Sequence, residues 1–162
     1  MKTKMFNVLY KKDGSALMVV LLSFVVIMIF LGSIIMLFKN NLVQTMTQEK
    51  SVQAYYLALS GIDLGVSALL QEGAGGENDT LLYKEFSKDM KPNLNNTPTL
   101  RHTIDLGDGE VEITIRGMDI DGERWVEVHS IGILKDTSFR RSTNLQFLVS
   151  NPSVQKREQN RP

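Results

Sequence analysis

Cysteine is absent from the 162 residues. That excludes a disulfide framework, a cysteine-built metal site and a lipid-bearing cysteine behind a leader. Proline is scarce and late. None of the four precedes Pro92, so nothing in the first 91 residues forces a helix to break. The two histidines, His102 and His129, have no evident carboxylate partner in the pattern. They make a poor case for a metal site or for acid–base catalysis. Positive and negative charges balance at 18 each, which gives no basic excess for nucleic acid. No phosphate-binding glycine loop or dinucleotide fingerprint occurs, and Ser130 and Ser142 lack nucleophile-elbow spacing. The chain is therefore expected not to be an enzyme, with no catalytic residue, metal or cofactor assigned.

The chain does have one long apolar run. Residues 16–38 are 23 positions without a charge, interrupted only by Ser23, Gly32 and Ser33. As a helix this is long enough to cross a bilayer core of about 30 Å. The remainder is polar, so a mean hydropathy near zero hides two different materials. Before the run lie Lys2, Lys4, Lys11 and Lys12 against Asp13 alone, whereas only Lys39 follows it closely. The positive-inside rule then predicts a single-pass protein in the cytoplasmic membrane, N-terminus inside, with an extracytoplasmic head. An export signal carries an apolar core of roughly 7–15 residues and a small-x-small cleavage site. Here the run ends in Phe38-Lys39-Asn40-Asn41, so the segment is expected to stay in the mature protein.

Helical spacing continues beyond Phe38. Val52, Tyr55, Leu59, Ile62, Val66 and Leu69 recur at steps of three and four. Beside this stripe runs a line of small residues, Ala54, Ala58, Gly61, Gly65 and Ala68, which predicts close approach of another element. A helix from Ser15 to Gln71 would be about 85 Å long. Gly73, Gly75 and Gly76 end it, and Leu81, Leu82, Phe86 and Met90 suggest a short amphipathic helix. After the loop of residues 91–99 the period becomes two. Strands are predicted at residues 101–106, 110–116, 125–133 and 139–149, with short links that imply antiparallel neighbours. Val111, Ile113 and Ile115 form one apolar face, and Thr143, Leu145, Phe147 and Val149 another. Asp119-Ile120-Asp121-Gly122-Glu123 has fewer ligands than a calcium loop and reads as a hairpin turn. Trp125 falls on the face opposite Val126 and Val128, to be covered by a loop between residues 73 and 99 or by a neighbouring subunit.

The expected fold class is α+β: a long N-terminal helix packed on a four-stranded antiparallel meander. The segments are a leader (1–14), a membrane half of the helix (15–38), an amphipathic half (39–72), a connecting region (73–100), the sheet (101–150) and a polar tail without order (151–162).

At Lys11-Lys12-Asp13-Gly14-Ser15-Ala16-Leu17 the sequence resembles the class III signal of type IV prepilins and pseudopilins. Gln53-Ala54-Tyr55-Tyr56-Leu57-Ala58-Leu59-Ser60-Gly61-Ile62 resembles the small-residue segment of minor pilins with a PilX-type N-terminus and of K-type pseudopilins. A looser likeness lies in Val128-His129-Ser130-Ile131-Gly132 followed by Arg140-Arg141 and a final strand. The resemblance implies cleavage by a prepilin peptidase between Gly14 and Ser15. It makes the new amine of Ser15 a candidate for methylation. It implies partners among other pilin or pseudopilin subunits, and assembly into or at the tip of a pilus-like filament (fimbrium) at the cell surface. Pilus biogenesis, secretion and DNA uptake all remain open as its task.

This chain departs from the family pattern at three points. The usual glutamate at the fifth mature position is Val19, the usual first phenylalanine is Ser15, and the glutamate before the glycine of the second motif is Ser60. The first departure removes an intramembrane carboxylate and points to a minor or tip subunit. An alternative reading stays open: an uncleaved, signal-anchored binding or regulatory protein, with Ser15 as an ordinary helix N-cap. An anchored enzyme or inhibitor ranks last, because no site residues suggest one.

Overall fold

A computed structural model describes residues 12–76, 79–93 and 99–158. The expected leader therefore lies largely outside the described residues. The chain divides into two compact units, Met1–Met46 and Thr47–Pro162. Helix α1 (Lys12–Leu70) contributes to both.

In the first unit α1 is the one element among the described residues. Every residue from Leu17 to Met46 is exposed, the apolar run included. This is the pattern of a helix whose surroundings are not its own chain. The two hydroxyls in the run bond back to the helix: Ser23 Oγ donates to the Val19 carbonyl at 2.8 Å and Ser33 Oγ to that of Ile29 at 2.9 Å. Hydrocarbon offers no other partner, so such back-bonding removes their cost there. Among the described residues this is the one helix long and apolar enough to cross a membrane.

The second unit is α+β. A five-stranded sheet runs in the order β1 (Leu100–Leu106), β2 (Gly109–Ile120), β3 (Glu123–Leu134), β4 (Arg140–Leu148) and β5 (Asn151–Glu158), all neighbours antiparallel. Chain order equals spatial order because the links are too short for a crossover. Between β2 and β3 the turn residues Asp121 and Gly122 have φ of 54° and 78°. Both are left-handed, as a type I′ hairpin requires, and Asp-Gly is a favoured pair for it. Short α2 (Leu81–Phe86) starts at Thr80, whose hydroxyl accepts from the Tyr83 amide at 3.2 Å. It buries Leu82 and Phe86, while Met90 lies beyond it and is exposed.

The core lies between the sheet and α1. Val111, Ile113 and Ile115 of β2 meet Val126 and Val128 of β3 and Leu145 and Phe147 of β4. Ile62 and Leu69 of α1 and Leu82 and Phe86 of α2 close it from the helical side. One sheet face is thus apolar and covered, the usual state of an antiparallel sheet.

The fifth strand corrects the expectation of four strands and an unordered tail. From Asn151 to Arg157 only Pro152 is even half-buried. Such an edge strand is held by its backbone ladder and needs no apolar alternation, which is why the period-two pattern is missing there.

Candidate functional site

The closest approach in the head is between α1 and the middle of the sheet. Ala54 and Ala58 are fully buried, and Gly61 and Gly65 are buried with them. Ala68, the fifth member of the small-residue line, is exposed. A methyl on Gly61 would collide with Ser130 Oγ and Val111 Cγ1. One on Gly65 would come within 2.9 Å of Val128 Cγ1 and 3.2 Å of Ile113 Cγ2. The sheet reciprocates at Gly132 of β3. A Cβ there would strike the backbone itself, the Ala54 carbonyl and, at 2.5 Å, the Ala58 amide nitrogen. Glycine facing alanine lets helix and strand backbones touch. Gly61 and Gly65 therefore serve the head's own sheet.

Two hydroxyls lie under this seam. Ser130 and Thr143 are cross-strand partners on β3 and β4, and both are essentially inaccessible. Neither Oγ has a hydrogen-bond partner among the described residues. Unpaired buried hydroxyls cost stability.

The opposite sheet face carries a polar cluster that pattern reading missed. Glu127 of β3 is only 4% exposed. Its Oε2 pairs with Arg116 Nε of β2, and its Oε1 accepts from Asn144 Nδ2 at 3.2 Å and Gln146 Nε2 at 3.1 Å on β4. Burial alone would raise this carboxyl's pKa. The bonds from Gln146, Arg116 and Asn144, with the charge of Arg116, outweigh it and hold the group below the ordinary carboxylate range. The signal was present in the register: Arg116, Glu127 and Gln146 face one another across three strands.

Trp125 shares that face and is 6% exposed. The ammonium of Lys156 on β5 sits 4.9 Å from its ring centroid, a cation–π contact supplied by the tail. Arg124 points the other way and is buried. Its Nη2 donates to the Lys91 carbonyl at 3.2 Å and to that of Pro92 at 2.5 Å, pinning the connecting region to β3.

Other ion pairs fasten turns. Lys84 pairs with Asp79, whose carboxyl is lowered by that bond and by the Gly75 amide. Lys135 spans 2.7 Å to Asp105, which raises the lysine. His102 is exposed on β1, and His129 is half-buried opposite Asn144. Among the described residues no three His, Asp or Glu side chains gather as metal ligands. Gly14 and Ser15 lie within α1, so Ser15 is not its N-cap.

Among the described residues this constellation packs the helix on the sheet and fastens its turns. An apolar groove of about 430 Å³ does open between α1 and β1, lined by Leu64, Leu69, Leu100, Ile104 and Ile115 among others. Comparison of the chain with models of protein families, with characterised proteins and with solved structures gave no match.

Proposed function

We propose that this protein is a minor pilin or pseudopilin: a subunit cut by a prepilin peptidase between Gly14 and Ser15 and assembled into, or at the tip of, a type IV pilus-like filament. One observation carries the reading. A single helix, α1, is uncharged and wholly exposed over the apolar residues 17–38, yet buries Ala54, Ala58, Gly61 and Gly65 against the sheet of its own head. A helix that is membrane material at one end and core material at the other suits a subunit that exchanges lipid for neighbouring helices. The basic leader ending at Gly14 supports cleavage on the cytoplasmic side. The absence of a carboxylate at Val19 supports a minor role. The head is then extracytoplasmic and makes lateral contacts with other subunits, and no catalytic step is involved.

Gly14→Leu tests this reading. In a filament subunit it blocks processing, leaves the longer chain in the membrane and removes the protein from sheared filaments. In an uncleaved anchored protein parent and variant both start at Met1 and share one location, and that outcome would sink the proposal.

A further inference from the structure

Strand β5 is joined loosely to a sheet that needs it. Its regular ladder is four pairs, Asn144, Leu145, Gln146 and Phe147 against Glu158, Arg157, Lys156 and Gln155. The next pair is Leu148 with Asn151, so Pro152, Ser153 and Val154 lie in a bulge with no ladder partner. The bulge is held by its own chain: the Ser153 amide donates to Asn151 Oδ1 at 3.2 Å and Gln155 Nε2 to the Pro152 carbonyl at 3.1 Å. Under it a cavity of about 220 Å³ remains between Val66, Leu70 and Phe147 of the core side and Pro152, Ser153 and Gln155 of the strand. Side chains from Ser153 to Arg157 of β5 are exposed, whereas β4 buries Thr143, Asn144, Leu145 and Phe147. A core strand thus depends on a weakly seated edge strand to cover its backbone.

We propose that β5 is an exchangeable strand. Residues 155–158 leave their own β4 and pair with the same β4 edge of a second copy of this chain, the bulge straightening as the hinge. Gln155 lies five residue steps beyond Ser150, a reach of about 17 Å when extended. The occupant is specified by the seat. It must pair with Asn144, Leu145, Gln146 and Phe147 and bring a cation over Trp125, as Lys156 does. The same segment of another copy meets both demands in identical register. Because every pair and the cation–π contact recur after exchange, they cancel. What remains is relaxation of the bulge against the entropy of association. Exchange is therefore governed by local concentration and is favoured when copies are held side by side. The inference goes beyond the proposed function and does not depend on it.

The cysteine-free chain allows a direct test. One full-length chain carries Gln146→Cys and a second carries Lys156→Cys, which removes the cation over Trp125 from the own and the exchanged seat alike, and the two bear different tags. They are co-expressed and treated in membranes with a short thiol-to-thiol cross-linker. Exchange predicts a mixed covalent dimer several-fold more abundant than in a control where both chains carry Gln146→Cys. An acceptor ending at Ser150 with Gln146→Cys has no strand of its own to compete, and should raise the yield further. If that shortened chain does not fold, the full-length pair decides. A mixed dimer no more abundant than the control overturns the proposal. So does a doubly substituted chain (Gln146→Cys with Lys156→Cys) that closes only within itself while the mixed pair stays at background.

Discussion

At the residue scale, Gly132 and Glu127 make the sharpest predictions. A side chain on Gly132 has backbone, not a movable side chain, in its way. Gly132→Val is therefore expected to destabilise the head by at least the 1–3 kcal/mol typical of overpacking. Gly32→Ala, with nothing within 4 Å of the added carbon, should leave it unchanged. Fluorescence of the single tryptophan, Trp125, followed through urea unfolding of the detergent-solubilised chain, measures both. Glu127 has a depressed folded-state pKa. It adds stability above its unfolded value of about 4.3, and that contribution is lost as pH falls through the folded value. Glu127→Gln should thus be clearly less stable than the parent at neutral pH, and the gap should narrow on acidification. Parallel stability curves across that range would contradict the role given to the carboxylate. The small-residue line was legible because only glycine and alanine let backbones touch, and four of its five members are buried. Ala68 departs because it lies where the apolar groove opens between α1 and β1. Glu127 was not legible as a buried charge, since a lone glutamate on a strand normally faces water. Its burial depends on cross-strand partners fixed only by register.

Among the elements, α2 is the smallest with a measurable task. Its six residues bury Phe86 completely in the main core. Phe86→Ala is expected to cost about 3–5 kcal/mol, read from the same urea transition. A loss below about 1 kcal/mol would show that α2 is a surface turn rather than a core element. Strands β1 to β4 were readable from their alternation and turn residues, though β2 extends further, to Ile120, because the Asp121 and Gly122 hairpin is tight. Strand β5 was not readable. Asn151, Pro152 and the charged residues after Gln155 carry no apolar face, and an edge ladder asks for none. The contact of Lys156 with Trp125 was unreadable for the same reason, because Lys156 belongs to that unread strand.

For the molecule as a whole, the division into two materials was the most legible feature. Twenty-three uncharged residues cannot be accommodated by a head of this size, and the structure leaves residues 17–38 exposed. The sequence pattern also separates positive charge before the run from a polar remainder, which sets the proposed orientation. Fold class follows from periodicity alone, 3.6 then 2. Function does not, because packing seams and fastened turns serve a filament subunit and an anchored monomer equally well. What divides those two is a covalent event at one peptide bond. The most direct measurement is the intact mass and N-terminal sequence of the membrane-extracted protein, made with and without an active prepilin peptidase. The account predicts a chain starting at Ser15 when the peptidase is present and at Met1 when it is not. A chain starting at Met1 under both conditions would contradict it and leave an uncleaved, signal-anchored head.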